Sequence, residues 1–399
     1  MVLSTAGPST RRIERTHGRL ARAAAGRRRG LPEPQVLVDS PTLRLERGDL
    51  DQPFHAASIG KLMTTALVLM LVDQGRLQTD SPLGALLPAR DLVGLPAAPG
   101  VDVARDVTVE HLLTHTAGLP DYAEPPRHRT SAAAVTALAA DPDRRWTPAD
   151  LLDEARRLPA VGRPGARFRY GDTGFVLLGR VVEELHGEAF PAVMRRRVLD
   201  PCGMERSSMP YVLARTPQDV ADLDVAPFWV GPDEVSTCLS VSMDWAGGGV
   251  VATPGDLVRF SEALHAGRLV PPGLLRYATR PRHRFRPGIH YGAGTMTLRF
   301  GGFSPFLRGL PVPVGHLGIL STHLFFYPRQ RAHVVLNLHG TAEMRRSVIM
   351  HVHLARLLAA SASVGVPRTP PDRVRTRRSR AAGSGRRPRP VNRVRRCCW

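Results

Sequence analysis

His55-Ala56-Ala57-Ser58-Ile59-Gly60-Lys61-Leu62-Met63 is the stretch on which the reading of this chain turns. Lys61 is the only lysine; every other member of the 55 Lys and Arg residues is arginine. A guanidinium stays protonated in proteins, whereas burial and neighbours can tune an amine. A solitary lysine in an arginine-rich chain therefore points to proton exchange. Ser58 stands three residues ahead of it, where the apolar run 62–72 predicts a helix over about 58–74, stopped by Gly75. Side chains at i and i+3 share one helix face. The positive end of that helix favours a serine alkoxide and an uncharged amine, and the Ser58 N–H can supply half an oxyanion hole.

Outward from this helix, 35–38 and 42–46 read as two short strands around Asp39-Ser40-Pro41. The middle of the chain, about 100–245, reads as short helices and loops. Thr147-Pro148-Ala149-Asp150 and Thr253-Pro254-Gly255-Asp256 are helix starts, with Thr as cap and Pro in the first turn. Strand patterns return at 296–300, 323–327 and 332–338, and an amphipathic helix is predicted over about 342–359. Strands at both ends predict one sheet built from both ends of the chain. The middle would be inserted as a second lobe, with a site at the junction.

Two further motifs complete a relay. Tyr170-Gly171-Asp172 lies in Phe168-Arg-Tyr-Gly-Asp-Thr-Gly-Phe-Val-Leu-Leu-Gly179, a turn entering a helix, where Asp172 can also act as an N-cap. Gly315-His316-Leu317-Gly318-Ile319 precedes a strong strand. Its glycines let a substrate lie against the strand edge, with the Ile319 N–H as second oxyanion donor.

In this order the three motifs resemble the serine β-lactamase-like family, in its branch of class C β-lactamases, D,D-carboxypeptidases and related esterases. Val107-Thr-Val-Glu-His-Leu-Leu-Thr-His-Thr-Ala-Gly-Leu-Pro-Asp-Tyr122 and Gly247-Gly-Gly-Val-Val-Ala-Thr-Pro-Gly-Asp-Leu257 add to the likeness, which covers about 31–360. The resemblance implies an α/β/α sandwich with an antiparallel sheet (about 31–100 and 245–366) and a mostly helical lobe (about 101–244). It implies Ser58 as acylated nucleophile, activated by Lys61 and Tyr170, either of which could take the serine proton. Asp172, His316, Gly318 and Ile319 would contact the substrate, and no metal or organic cofactor is implied.

Two departures from the family pattern bear on the substrate. Asp172 stands where Asn is usual; an ionised carboxylate accepts but cannot donate to a substrate carbonyl. His316 stands where Lys is frequent, and a neutral imidazole is a weaker anchor for a carboxylate. Both favour a small neutral ester or amide over a D-peptide or β-lactam. The other class of reading is a catalytically silent protein that binds a ligand, or nucleic acid through its tails.

Those tails hold most of the charge. Residues 1–30 carry eight Arg against one Glu and residues 367–399 twelve Arg against one Asp, so most of the +20 lies outside a near-neutral body. Both read as disordered and able to contact anions or nucleic acid. No signal peptide or spanning segment is recognisable, which makes a cytoplasmic protein the expectation, and four cysteines do not make a disulfide framework. His111 and His115 share a helix face but lack the further ligands of a zinc motif, and the 280–286 arginine cluster reads as a solvated loop that could meet an anionic substrate group. Asp121 and Tyr122 are placed at the pocket mouth.

Overall fold

A computed structural model describes residues 30–361, together with Ser4, Thr5 and Gly18. Apart from Ser4, Thr5, Gly18 and Gly30, the two Arg-rich tails, Cys397-Cys398 included, fall outside the described residues.

The sheet is built from β1 (Gln35–Ser40), β2 (Leu43–Arg47), β3 (His283–Arg286), β4 (Ile289–Tyr291), β5 (Met296–Leu298), β6 (Val314–Gly318), β7 (Thr322–Tyr327) and β8 (Ala332–Asn337). With Ser4–Thr5 at one edge, the order is Ser4–Thr5, β2, β1, β8, β7, β6, β5, β4, β3, every neighbouring pair antiparallel. The two ends of the chain meet where Val38 faces Val334 and Val36 faces Leu336, as the strand patterns predict.

Period-two alternation sends β1 and β8 side chains to two different cores. Val36, Val38, Val334 and Leu336 pack with Met350, Leu354 and Leu358 of the last helix. Leu37 and Val335 point the other way, into a core with Leu62, Met63, Leu257 and Phe260. The helices that matter for the site are α1 (Gly60–Asp73), α2 (Thr173–His186) and α3 (Pro254–His265); α4 (Met344–Ser361) closes the far face. Helix α1 is buried from Gly60 through Leu71, so it has no polar face and must lie inside the fold. Lys61 is the one charged side chain in that buried span.

Beneath α4 runs a polar chain. The Tyr327 hydroxyl lies 2.8 Å from His351 Nε2, His351 Nδ1 lies 2.8 Å from His323 Nδ1, and His323 Nε2 lies 2.8 Å from Ser347 Oγ, which donates to Met344 O at 2.9 Å. With both imidazoles neutral, every partner is satisfied only if the hydrogen bonds all run from Tyr327 towards Ser347.

Several sequence expectations shift. Ser58 sits in a 3-10 turn, Ala57–Ile59, ahead of α1 rather than inside it. Gly315–Gly318 lies within β6 itself, and the arginine cluster includes an edge strand, β3. The last helix starts two residues later than expected. No helix among the described residues is long and apolar enough to cross a membrane.

Candidate active site

The corner that carries Ser58 is held from three directions. Strand Phe54–His55 pairs with Val251–Ala252, the Ala56 N–H donates to Val250 O at 2.9 Å, and Thr322 Oγ1 donates to Ala56 O at 2.9 Å. His55 Nδ1 accepts the Ala57 N–H at 3.2 Å. Ala57 takes φ +50°, a left-handed conformation that a residue with a side chain adopts only where its surroundings compel it. Gly318 faces this corner: a Cβ there would lie 2.8 Å from Ala56 O and 2.9 Å from the Ala57 Cβ. The β6 glycine thus lets the strand close on the turn that carries Ser58.

Lys61 lies one turn further on, with 0% exposure. Its Nζ donates to Ser58 Oγ at 3.1 Å, to Gly247 O at 3.0 Å and to Asp172 Oδ1. All three ammonium donors are therefore directed. Burial alone lowers the lysine pKa, but the carboxylates of Asp172 and Asp244 outweigh it and hold the amine above its ordinary value. The Tyr170 ring lies beside the amine, its centre 5.3 Å from Lys61 Nζ. Burial, followed by the Asp172 charge, pushes the Tyr170 phenol well above 10, so it stays protonated at neutrality.

The structure thus brings Ser58, Lys61, Tyr170 and Asp172 into one connected group, with Gly318 packed beneath. Asp172 makes no side-chain cap bond to α2; its carboxylate turns to Lys61 instead. His316 is fully buried, with Nδ1 2.6 Å from Leu317 O and Nε2 3.4 Å from the Tyr291 hydroxyl. Burial first, then the Lys61 charge, bring its pKa down to about 3. It is a neutral ring that packs against Tyr291.

Several neighbours went unread in the sequence. Gly247 presents its carbonyl to Lys61, and a side chain there would collide with the Asp172 carboxylate. Asp244 lies on the other side of Lys61; burial, with Asp172 adding to it, pushes its carboxyl up to about 7 against the pull of Lys61. His55 is neutral, its pKa brought down to about 3 by burial. Because its Nδ1 accepts from Ala57, its Nε2 carries the hydrogen and points at Asp244 Oδ2, 3.8 Å away. The signal was spread over about 190 residues, and nothing local marks it. His115 packs its ring on Tyr170 at 4.4 Å between centroids and accepts the Gly171 N–H at 3.4 Å. His111 caps its own helix by accepting the Thr108 N–H at 3.2 Å.

Asp121 and Tyr122 are buried rather than placed at a mouth. Asp121 accepts the N–H groups of Asp172 at 2.9 Å and Ala123 at 3.1 Å, fixing the Tyr170–Asp172 turn. The Tyr122 hydroxyl donates to Met243 O at 2.9 Å.

A nine-stranded antiparallel sheet made from both chain ends, with an SxxK turn at the start of a buried helix, defines the β-lactamase-like class of folds. The Beta-lactamase family profile matches residues 41–358, and this chain belongs to that family. Penicillin-binding protein 4 of Amycolatopsis lactamdurans is 29% identical over 232 residues, which cover 56% of this chain and 53% of that protein. Lovastatin esterase of Penicillium rubens (strain ATCC 28089 / DSM 1075 / NRRL 1951 / Wisconsin 54-1255) is 31% identical over 185 residues, 45% of this chain and 44% of its own. The chain spans about half the length of the curated relatives it matches. A D-stereospecific amidohydrolase from Streptomyces sp. superposes with a TM-score of 0.68 at 24% identity, covering 86% of this chain and 98% of the other.

Proposed function

We propose that this protein is a serine hydrolase that forms a Ser58 acyl-enzyme on small esters, with D-peptide and β-lactam amides as the second substrate class. The observation that carries the reading is the buried Lys61 amine 3.1 Å from the Ser58 oxygen. Relatives that include an esterase and a penicillin-binding protein support the class.

One assignment of the protons fits this geometry. Tyr170, raised well above 10, keeps its hydrogen and serves as acid. Lys61 is the base, and it needs a place to leave a proton. The acting base is the deprotonated amine, which burial favours against the opposing pull of Asp172 and Asp244. With its extra proton released to solvent, the neutral amine accepts the Ser58 proton as Oγ bonds to the carbonyl carbon. The N–H groups of Ser58 and Ile319 hold the oxyanion. The C–O bond then breaks, the leaving alcohol takes the Tyr170 proton, and Lys61 returns its proton to Tyr170. Water repeats the cycle, giving one proton to Lys61 as its oxygen attacks, and Ser58 leaves with the Tyr170 proton. Asp172, engaged by Lys61, offers no donor for an amide carbonyl, which favours the ester.

The test is intact-mass spectrometry after incubation with a fluorophosphonate and, separately, with a penicillin, alongside stopped-flow release from a 4-nitrophenyl ester. We expect one phosphonyl adduct on Ser58, and an ester burst that Ser58→Ala abolishes and Lys61→Met lowers by about 10³-fold or more. No adduct, with turnover unchanged in Ser58→Ala, overturns the reading. A stable penicilloyl adduct with faster amide than ester turnover moves the substrate to the second class.

A further inference from the structure

Charge is segregated within the body of the chain. From residue 263 to 342 there is no Asp or Glu, and the same stretch carries ten arginines. It supplies β3 to β8, and the strand register gathers three of its connections at one end of the sheet. Arg286 faces Ile289 across the β3–β4 turn, and Leu298 faces Ile289 where β5 gives way to the segment 299–313. Val314, where that segment rejoins the sheet, faces Phe326 beside the turn 328–331. Arg286, Arg299, Arg308, Arg329 and Arg331 belong to these connections; all five are exposed, and none forms an ion pair with an acid among the described residues. Asp39, opposite His333 at this end, is taken up by Arg44 at 2.8 Å, and Glu262 lies on α3, across the sheet from α4. The 299–313 segment is the apolar part of this end. Phe300 and Leu307 are buried in the core beneath α4. The N–H groups of Phe303, Leu307 and Leu310 donate to Phe300 O, Ser304 O and Leu307 O at 3.0, 3.0 and 3.2 Å. Phe303 packs on the β3–β4 turn, where a Cβ on Gly288 would lie 2.8 Å from its ring. Held in this way, Phe306 is 96% exposed and Val312 47% exposed.

We propose that this end of the sheet docks on the surface of an anionic lipid bilayer, with Phe306 and Val312 entering the boundary between headgroups and acyl chains and the five arginines meeting lipid phosphates. A broad anionic surface requires the cations to share one end of the fold, not to converge on a point. Its apolar interior takes the exposed ring, and its phosphates suit the planar fork of arginine. A nucleic acid would draw on the same cations, but the aliphatic Val312 and the exposed Pro305 give its bases no stacking platform. The docking is peripheral, since no helix among the described residues is long and apolar enough to cross a membrane. Strand β6 runs from Val314 at this end to Gly318 beneath the Ser58 turn, so the docking surface and the reaction site lie at opposite ends of one strand. The inference is independent of the chemistry at Ser58.

The experiment is co-sedimentation of the full chain with vesicles of phosphatidylcholine alone or with about a third phosphatidylserine. We expect binding to the anionic vesicles only. Phe306→Ser/Val312→Ser should weaken it by about tenfold or more. Arg286→Gln/Arg299→Gln/Arg308→Gln should weaken it by at least as much, with thermal unfolding confirming that each variant is folded. In Phe306→Trp, anionic vesicles should shift the added emission to the blue, and brominated acyl chains should quench it. The Arg-rich segments 1–30 and 367–399 are the same in every variant. Vesicle binding that both surface variants leave unchanged therefore belongs to those segments and overturns the inference. A tryptophan at 306 that stays in water while the protein is bound overturns it too, as does no binding by the unsubstituted protein. Binding to single-stranded RNA that the arginine variant loses, without vesicle binding, assigns the surface to nucleic acid and also overturns it.

Discussion

Lys61 directs its three donors to a serine, an aspartate and a backbone carbonyl, yet two further carboxyls lie nearby: Asp121, which is buried, and Asp244, whose side chain is 19% exposed. Both are pushed up to about 7, by burial first and then by the Asp172 charge, and Asp244 is the one that also feels Lys61. Its folded pKa of about 7 lies above the ordinary 3.8, so it favours the folded state below pH 4, and that contribution is lost as the pH rises through 7. Asp244→Asn should therefore stabilise the protein at pH 8 by roughly 1–4 kcal/mol and have little effect near pH 4. Thermal melts at the two pH values check this, and a variant equally stable or unstable at both would refute it. At this scale, Ser58, Lys61 and Tyr170 were legible because each sits in a short motif and the lysine has no rival. His55, Asp244 and the Gly247 carbonyl were not, because their roles exist only once distant segments meet.

The elements around the site show where pattern reading succeeds and where it fails. β1, β7, β8 and the capped helices could be read directly because apolar alternation and Thr–Pro starts are strong local signals. The sequence places the β6 residues only ahead of a strong strand, because glycine is a poor strand former. The β6 glycines are there for clearance, since a Cβ on Gly315 would overlap Leu324 O and one on Gly318 would meet Ala56. β3 was hidden because half of its four residues are arginine, and only the packing on Phe168 reveals its inner face. The same logic of close approach applies at 247. Gly247→Ala would push its methyl into the Asp172 carboxylate and separate it from Lys61. We expect a loss of turnover of about 100-fold with less than about 2 kcal/mol lost in denaturant unfolding. Full activity in that variant would show that the pair is dispensable.

At the level of the whole molecule, α4 is held to the sheet by Met350, Leu354 and Leu358 and by the Tyr327–His351–His323–Ser347 chain. Burial brings His351 down to about 3 and His323 well below its ordinary value. Depressed histidines stabilise the fold above pH 6.5, and the contribution is lost as the pH falls towards 3. Amide exchange across 344–361 should therefore rise, relative to α1, as the pH drops from 7 to 4. His323→Phe/His351→Phe should remove that pH dependence, and uniform protection across the range would contradict the assignment. The meeting of Val36 with Leu336 has a consequence for biogenesis. As the polypeptide leaves the ribosome, the first hairpin waits, edge exposed, until some 300 further residues have been translated. Only then can its partner strand arrive, so the nascent chain depends on holdase protection, or on slow translation past the middle, far more than its compact end state suggests.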